Sequence, residues 1–290
     1  MTKRTIYLHI GFEKTGTTSI QNYLYNNVDK LNDLGVSYPN EVFLKPNHVE
    51  LATCFCEDYN IGALRKPRSI SRFLGRIKCF ILENKDRDII FSNEHLSSRL
   101  FEEDNIRALK DFLSSALHRV IVICYVRKPA DWLVSRYSEA VKSGFSGTLD
   151  QFVRMDKPVT SFEPLARNLA GRLQVWRNVF CDDLIVCDFE EAIQVGLVNH
   201  FISNVLQVRL FPDVSVIKNT SLSYEQIELL SFINKFFGFS VFGRVIRKPL
   251  VYLFNRVKFG RPLLEVVGIP NSVIEYASEQ QLKLAALKFF

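Results

Sequence analysis

The feature that most constrains this 290-residue chain is a glycine-rich loop between an apolar run and a helical pattern, close to the start. The run Thr5–Ile10 has the composition of a buried strand, and Gly11 and Gly16 enclose the loop that follows it. Beyond the loop, apolar residues recur every three or four positions on one helix face, at Ile20, Leu24, Val28, Leu31 and Leu34. Gly35 is a suitable residue to end that helix. Strand, loop and helix in this order predict the first unit of an α/β sheet.

Three further apolar runs are typical of strands, and helical patterns lie between them, at Asp88–Ser92, Arg119–Val126 and Asp183–Cys187. After the second of these runs, Pro129 and Gly144 are placed to begin and to end a helix. The pattern predicts an α/β chain with a P-loop-like three-layer fold, in which helices flank a central, mainly parallel sheet. We find no internal repeat or low-complexity linker, so we expect a single domain over 1–290, with a helical C-terminal part from about 229 to 290.

The composition and the cysteines favour a globular protein of the cytoplasm. The chain is 47% hydrophobic, which is enough for a sizeable core. The run Thr5–Ile10 is too short for a signal-peptide core, and no uncharged apolar run is long enough to span a membrane. The six cysteines are too sparse for a disulfide scaffold, and Cys54 and Cys56 have the wrong spacing for a zinc knuckle. We expect no bound metal.

The loop Gly11–Thr18 has the two glycines of a phosphate-binding loop, in a position where backbone amides and the helix dipole attract anions. An ATP-using loop places a lysine directly after the second glycine and then a Ser or Thr for magnesium. Here Thr17 takes that place, and the lysine is Lys14, two residues before Gly16. This shift favours an anionic donor that needs no magnesium clamp. A glycine turn with a solvated lysine and a true kinase loop remain as alternatives.

A second motif follows the run Arg119–Val126. Arg127 stands at the carboxyl end of that predicted strand, and Ser135 lies about two turns into the next predicted helix. An arginine offers a planar fork that matches phosphate oxygens, and a serine hydroxyl adds a neutral donor. The pair therefore predicts a second phosphate site, the alternative being a surface charge and a packing residue.

A third group follows the run Asp88–Ser92, where Glu94 and His95 can each accept a proton. Ligands of open parallel sheets bind beyond the carboxyl ends of the strands, so either side chain can face a substrate hydroxyl as a general base. Because adjacent residues usually point in different directions, we expect only one of them to do so. The alternative is a helix-capping glutamate and a surface histidine.

The first motif resembles the 5′-phosphosulfate loop of the sulfotransferases that use 3′-phosphoadenosine 5′-phosphosulfate (PAPS). The resemblance implies that the donor binds at Lys14, Thr15, Gly16, Thr17, Thr18 and Ser19. It further implies that Lys14 acts on the leaving phosphate, and that Arg127 and Ser135 hold the 3′-phosphate. Glu13 stands where the family usually has proline, which alters the stiffness of the loop.

The family also bears on the base. Bacterial members often carry Ser-Ser-Glu at the third motif, whereas cytosolic animal enzymes carry Thr-His-Leu, and this chain has both Glu94 and His95. We favour Glu94, because bacterial carbohydrate sulfotransferases carry that carboxylate. His48 resembles a histidine frequent in bacterial members and is the next candidate, although a structural histidine is an equal alternative.

The resemblance implies a bacterial, cytoplasmic sulfotransferase whose acceptor is a carbohydrate or a lipid-linked glycan, as in polysaccharide biosynthesis. We expect no nucleic-acid partner. Two rival functions are a P-loop kinase for a nucleotide or small molecule and a noncatalytic glycan- or membrane-binding protein. The segments Asp188–Glu191 and Lys218–Ser223 also resemble stretches common in bacterial members, but helix capping by Ser221 or Ser223 is the simpler interpretation.

The positive charge is concentrated in one stretch. The formal net charge is +6, and 229–264 holds seven Lys and Arg residues and no Asp or Glu among many phenylalanines. Three interpretations are open: a solvated helix pair, a lip that binds an anionic acceptor or the donor phosphates, and a membrane-surface element. Packing with a basic outer face is the default, and contact with the inner surface of the membrane is the partner that the third interpretation predicts.

Overall fold

The structure is a computed structural model that describes residues 4–43, 45–57, 64–114, 118–155, 168–207, 222–257 and 259–287. The chain forms two compact units. The first unit comprises Met1–Arg127, Asn168–Ile217 and Phe289–Phe290, and the second comprises Lys128–Arg167 and Lys218–Lys288. The single domain expected from the sequence stays a prediction.

The first unit contains a five-stranded sheet in which every pair of neighbouring strands is parallel. Its strands are β1 (Arg4–His9), β2 (Val36–Ser37), β3 (Asp88–Ser92), β4 (His118–Val126) and β5 (Leu184–Asp188), in the order β2-β3-β1-β4-β5. The α/β class with a parallel central sheet is confirmed. Four strands lie within one residue of the predicted runs, whereas the two-residue β2 is too short to give a sequence pattern.

Both faces of the central strand are buried, as expected for a parallel sheet covered by helices. Ile6 and Leu8 point to one face with no exposed surface, and His9 points to the other, equally buried. On the His9 face, residues of the sheet such as Ile123 pack with Leu24 of the first helix and with Phe201 after β5. The core therefore joins the helix that follows the glycine loop to the elements that follow β5.

The helices, in chain order, begin with α1 (Thr17–Asn26), α2 (Val28–Asp33), α3 (Val49–Phe55), α4 (Ile70–Glu83), α5 (His95–Arg99) and α6 (Glu103–Leu113) in the first unit. Next come α7 (Pro129–Ser143) and α8 (Leu149–Arg154) in the second unit, then α9 (Leu169–Phe180), α10 (Phe189–Gln194) and α11 (Leu197–Asn199) in the first. A 3-10 turn, Cys181–Asp183, precedes β5, and a π-helix, His200–Val205, continues α11. The last helices are α12 (Tyr224–Phe237), α13 (Val241–Arg256), α14 (Leu263–Val267) and α15 (Asn271–Ala286).

The prediction of one continuous helix from the loop to Gly35 is wrong. The helix breaks at Asn27, whose backbone has φ −123° and ψ 27°. The Asn27 amide nitrogen Nδ2 donates 2.9 Å to the Tyr23 carbonyl, an interaction that lets asparagine compete with the helical hydrogen bonds. Leu24 and Leu31 are nevertheless both fully buried, so the apolar stripe continues across the break.

The second unit is a helical assembly in which α12, α13 and α15 contact α7. Asn234 of α12 links them through its side chain, which donates 2.8 Å to the carbonyl oxygens of Val141 and Phe145. Ser223 begins α12 with a capping box that includes Gln226, so the capping interpretation is confirmed for Ser223, whereas Ser221 lies outside the described residues. Within the described parts of both units, we find no helix with the length and hydropathy that a membrane span requires.

Candidate functional site

The glycine loop leaves β1 and turns sharply into α1. Gly11, Lys14 and Gly16 have φ values of +48°, +70° and +72°, in the left-handed region that favours glycine. A Cβ at Gly11 would lie 2.3 Å from Thr17 Cγ2, and one at Gly16 would lie 2.3 Å from Leu197 Cδ2. Both glycines are therefore needed for close packing as well as for the turn, and Lys14 holds a conformation that side-chain-bearing residues rarely adopt.

The loop presents the start of α1 without a side-chain cap. Gly16 is the N-cap residue and makes no side-chain hydrogen bond to the helix. Ten residues of helix follow, so the first amides and the positive end of the dipole lie at the loop. Of the predicted binding residues, Thr17 is buried, Thr18 is exposed and Ser19 is half-buried. An anion at this position would meet backbone N–H groups.

Thr15 serves the loop itself. Its hydroxyl is fully buried and donates 2.6 Å to the carbonyl oxygen of Phe12. Because the side chain is used inside the loop, Thr15 can contribute to a bound anion through its backbone. Lys14, by contrast, is only half-buried.

A buried ion pair fixes the loop at Glu13. Arg172 of α9 places Nη2 3.2 Å from Glu13 Oε2, and the two side chains are 2% and 8% exposed. The same guanidinium donates to the Ser97 carbonyl at 2.8 Å and to the Ser97 hydroxyl at 2.9 Å, and it lies 4.2 Å from the centre of the Phe12 ring. This function of Glu13 was not predictable from the local sequence, because its partner lies 159 residues away. The loop is thus joined to α9 and α5 through the residue that takes the place of the usual proline.

Glu94 lies beside the loop. It follows β3, the neighbour of β1, and a Cβ at Gly11 would lie 3.5 Å from the Glu94 Cβ. Gln21 of α1 donates from Nε2 to Glu94 Oε2 at 2.8 Å, which fixes the carboxylate against the helix that begins at the loop. The side chain is half-buried.

His95 is the first residue of α5, and its backbone N–H donates to the Asn93 side chain at 2.9 Å. Both candidate bases thus lie directly after β3, and their roles stay predictions. Glu94 has a hydrogen bond to Gln21 of α1.

His48 has the surroundings of a structural histidine. Its ring is fully buried, stacks on Phe43 at 4.1 Å between centroids and accepts the backbone N–H of Ser92 at Nδ1, 3.2 Å away. Burial lowers the pKa of His48 to about 3. Since Ser92 already occupies the Nδ1 lone pair, the neutral ring carries its proton on Nε2, and the ring has no free basic nitrogen for a substrate.

A second buried histidine, His9, was not singled out from the sequence. Its Nδ1 lies 2.8 Å from the Ser92 hydroxyl, and burial lowers its pKa to about 3. Tyr125 and Phe201 pack against the ring. Ser92 therefore binds both histidines, one through its side chain and the other through its backbone. A histidine inside an otherwise apolar strand run is the signal that was available.

Arg127 follows β4 directly, as predicted, and residues at the start of α10 hold it. Its Nε lies 3.8 Å from Glu190 Oε1, and its Cζ lies 5.5 Å from the centre of the Phe189 ring. Phe189 Cε2 also lies 3.6 Å from the position that a Cβ would take at Gly16. One aromatic ring thus lies next to both Arg127 and the loop. These contacts of Phe189 and Glu190 with Arg127 were not predicted from the sequence.

Ser135 is the seventh residue of α7 and is half-buried, which agrees with the predicted position in that helix. It belongs to the second unit, whereas Arg127 is assigned to the first. A phosphate shared by Arg127 and Ser135 therefore stays a prediction.

The topology explains why distant motifs of the first unit meet. The loop follows β1, Glu94 follows β3 and Arg127 follows β4, and these three strands are neighbours in the sheet. Because the strands are parallel, their carboxyl ends lie at one edge, where the chain connections diverge to the two sides of β1. Within the parts of the chain that the structure describes, no group of three or more His, Cys, Asp or Glu residues is placed to hold a metal. The expectation of a metal-free site stays a prediction.

Two of the solved structures that are similar to this chain are a sulfotransferase and a retinol dehydratase. A sulfotransferase from Alicyclobacillus acidocaldarius is similar with a TM-score of 0.49 and 13% identity, over 89% of this chain and 98% of that chain. A retinol dehydratase in complex with androsterone and the inactive cofactor PAP is similar with a TM-score of 0.40 and 14% identity, over 98% of this chain and 82% of that chain. No family model matches the sequence, and no curated protein has a significant sequence match to it. Both structural similarities are distant, and the chemistry has to be inferred from this chain's own residues.

Proposed function

We propose that this chain is a PAPS-dependent sulfotransferase that moves a sulfuryl group to a hydroxyl of a carbohydrate or lipid-linked glycan. The observation that carries the proposal is the loop between Gly11 and Gly16, which leads into the uncapped start of α1. This loop contains Lys14, and the carboxylate of Glu94 lies beside it. A loop of this kind binds an anionic donor, and the carboxylate can take a proton from an acceptor.

The donor fits the residues at this edge of the sheet. The amides of the loop and of the first turn of α1 would hold the 5′-phosphosulfate, and Arg127 would hold the 3′-phosphate with its fork of donors. Arg127 keeps about a quarter of its side chain exposed, so it can reach a ligand although Glu190 lies beside it. A kinase would need a lysine at position 17, where this chain has a threonine.

The donor supplies a sulfuryl group, and its transfer forms an S–O bond to the acceptor and breaks the S–O bond to the 5′-phosphate. Glu94 takes the proton of the acceptor hydroxyl. Because Gln21 donates to Oε2, we assign this proton to Oε1. The Lys14 ammonium offsets the charge that develops on the leaving phosphate, so its contribution is larger in the transition state than in the ground state.

The nature of the acceptor and the compartment rest on the sequence alone. The third motif resembles the Ser-Ser-Glu of bacterial carbohydrate sulfotransferases, which supports a sugar hydroxyl as the acceptor and a cytoplasmic location.

The buried ion pair of Glu13 and Arg172 supports a rigid loop, although the loop lacks the proline that is usual in the family motif.

Calorimetry with 3′-phosphoadenosine 5′-phosphate (PAP) tests the donor site. We expect PAP to bind equally well with magnesium and with EDTA, and Arg127→Ala to weaken it roughly 10- to 100-fold through loss of charge-assisted hydrogen bonds. Lys128→Ala, which changes the exposed neighbour, is the matched control and should bind normally. Tight magnesium-dependent binding of ATP, with no affinity for PAP, would support the kinase instead.

Turnover is measured with labelled PAPS and a panel of glycan and lipid-linked glycan acceptors. We expect Lys14→Ala to lose much more turnover than PAP affinity. Equal losses in both would reduce Lys14 to an anchor for the donor. Binding of PAP without transfer to any acceptor would favour a noncatalytic protein.

A further inference from the structure

In the second unit, α12 and α13 expose large apolar side chains. The most exposed are Phe232 (60%), Phe236 (69%), Val241 (74%), Phe242 (62%), Val245 (62%) and Tyr252 (59%). We call these six residues the apolar face. Ring contacts join the two helices, because Phe237 lies 6.5 Å from Phe236 and 5.2 Å from Phe242 between ring centroids. A contiguous apolar patch on a protein surface is typical of a site that binds a partner or a membrane.

The spacing shows that each helix buries one side and exposes an apolar one. On α13, Phe242, Val245 and Tyr252 are separated by three and seven residues and share a face, whereas Gly243, Arg247 and Phe254 form the buried face. A surface helix of a globular protein normally has polar residues opposite its buried side. Helix α13 has Val245 and Tyr252 there, with Arg256 beside them.

Exposed cations flank the apolar face. Lys235 of α12 and Arg244, Lys248 and Arg256 of α13 are exposed, and Arg256 lies 4.4 Å from the centre of the Tyr252 ring. No acidic residue occurs between 229 and 264. Arg247 does not contribute to this charge, since it is buried and donates to Asn234, Gly238 and Ser143.

We infer that the apolar face is a peripheral membrane-binding surface that inserts into the headgroup region of a bilayer rich in anionic lipid. Phenylalanine and valine side chains gain by leaving water, and the adjacent lysines and arginines meet lipid phosphates. Helices of this kind lie in the plane of the interface, which agrees with the absence of a spanning helix among the described residues. This inference does not depend on the identity of the donor.

The charge and the apolar side chains of this surface favour a bilayer over a second copy of the chain or an anionic glycan. Pairing with a second copy about a two-fold axis would bring the four exposed cations of each copy together, and Glu228 is the one exposed carboxylate on α12 and α13 that could offset them. An anionic glycan would match the charges but would leave the phenylalanines without an apolar partner. An anionic bilayer satisfies both features.

Vesicle flotation of the full chain tests the inference. We expect binding to vesicles of equal parts phosphatidylcholine and phosphatidylglycerol, and none to phosphatidylcholine alone. Phe236→Ser with Phe242→Ser should lower the affinity about a hundredfold, and Arg244→Gln with Lys248→Gln about thirtyfold. Matched controls in the first unit are Leu82→Ser, which is 62% exposed, and the exposed pair Lys30→Gln with Lys85→Gln; they should bind like the wild type.

A tryptophan in the apolar face reports insertion directly. The two natural tryptophans, Trp132 and Trp176, are 2% and 1% exposed, so a Phe242→Trp variant adds the first solvent-facing indole. Its emission should shift to shorter wavelength with anionic vesicles and stay unchanged with phosphatidylcholine. Failure to bind anionic vesicles, or binding that the apolar-face variants do not weaken, would overturn the inference. So would a dimer in solution that the Phe236 and Phe242 variants dissociate, because it would assign the face to a second copy.

Discussion

The glycine-loop edge of the first unit and the apolar face of the second both combine cations with aromatic rings, but in opposite environments. At the loop edge, Arg172 lies against Phe12 and pairs with Glu13. Arg127 lies against Phe189 and close to Glu190 in the same way. In the apolar face, Arg256 lies against Tyr252 in a stretch that has no acidic residue.

The two regions differ in whether a carboxylate lies near the cation, and this difference determines how firmly the cation is held. A guanidinium held by a ring and a carboxylate has a fixed position, which suits a site that must be ordered before its ligand arrives. A cation beside a ring without a carboxylate keeps its charge available to an external partner. Local sequence does not separate the two cases, because Glu13 and Arg172 are far apart in the chain.

The largest effect is expected at the loop edge, in catalysis. Glu94→Gln keeps the shape of the side chain but removes its basic oxygen, so turnover should fall by roughly 10²–10⁴ while PAP binding survives. The measurement is steady-state transfer from labelled PAPS to a verified acceptor, with PAP affinity from calorimetry.

His95→Asn is the matched control, and we expect a mild effect. If the ranking of the two variants reverses, His95 is the base. Near-normal turnover in both variants would place the base elsewhere. His48 is then a poor substitute, because its Nδ1 already accepts a hydrogen bond.

The sequence was sufficient for the features of each unit that depend on a short-range pattern. Strand runs, the glycines around the loop and the helix from Pro129 to Gly144 have local signatures, and the structure has them where the patterns place them. The break at Asn27 was not predictable, because the apolar stripe continues across it. The strand β2 was not predictable either, because two residues are too few to show the alternation typical of a strand. The contacts of Glu13 with Arg172 and of Phe189 with Arg127 depend on tertiary structure, and no local signal reveals them.

The second largest effect concerns stability, and it sharpens the contrast between paired and unpaired cations. Arg172→Met leaves Glu13 as a buried charge without its guanidinium, which should cost about 3–5 kcal/mol in the free energy of unfolding. Adding Glu13→Gln to that variant should recover part of the loss, because the buried charge is then gone. Urea unfolding of the two single variants and the double variant measures the coupling.

Arg119→Gln is the control for this cycle, because its pair with Asp183 joins side chains that are 56% and 25% exposed. An exposed pair contributes little because water screens its charges, so the loss should be much smaller than the loss at Arg172. A loss at Arg172 as small as the loss at Arg119 would show that the loop does not depend on the buried pair.

A pH dependence of the stability should also originate in the first unit. Burial lowers the pKa of both His9 and His48 from 6.5 to about 3, so the unfolded chain binds protons that the folded chain does not. Stability is then full above pH 6.5 and falls as the pH decreases towards 3, by about 1.4 kcal/mol per pH unit for each histidine.

In the second unit, hydrogen bonds and the charge of Arg154 lower the pKa of Asp150. Hydrogen bonds and the charge of Arg261 lower the pKa of Glu225 in the same way. The stability that these carboxylates add is present above their ordinary pKa values of 3.8 and 4.5 and is lost below them, in a more acidic window. Urea unfolding between pH 7 and pH 5 should therefore report the histidines whose pKa burial lowers, namely His9, His48 and His200, and His9→Asn should reduce the slope. If stability stayed constant over this range, the folded chain would take up protons at these histidines as readily as the unfolded chain, and the lowered pKa values of His9 and His48 would be wrong. If His9→Asn left the slope unchanged, the pH dependence of stability would come from groups other than His9, the histidine bound to the Ser92 hydroxyl.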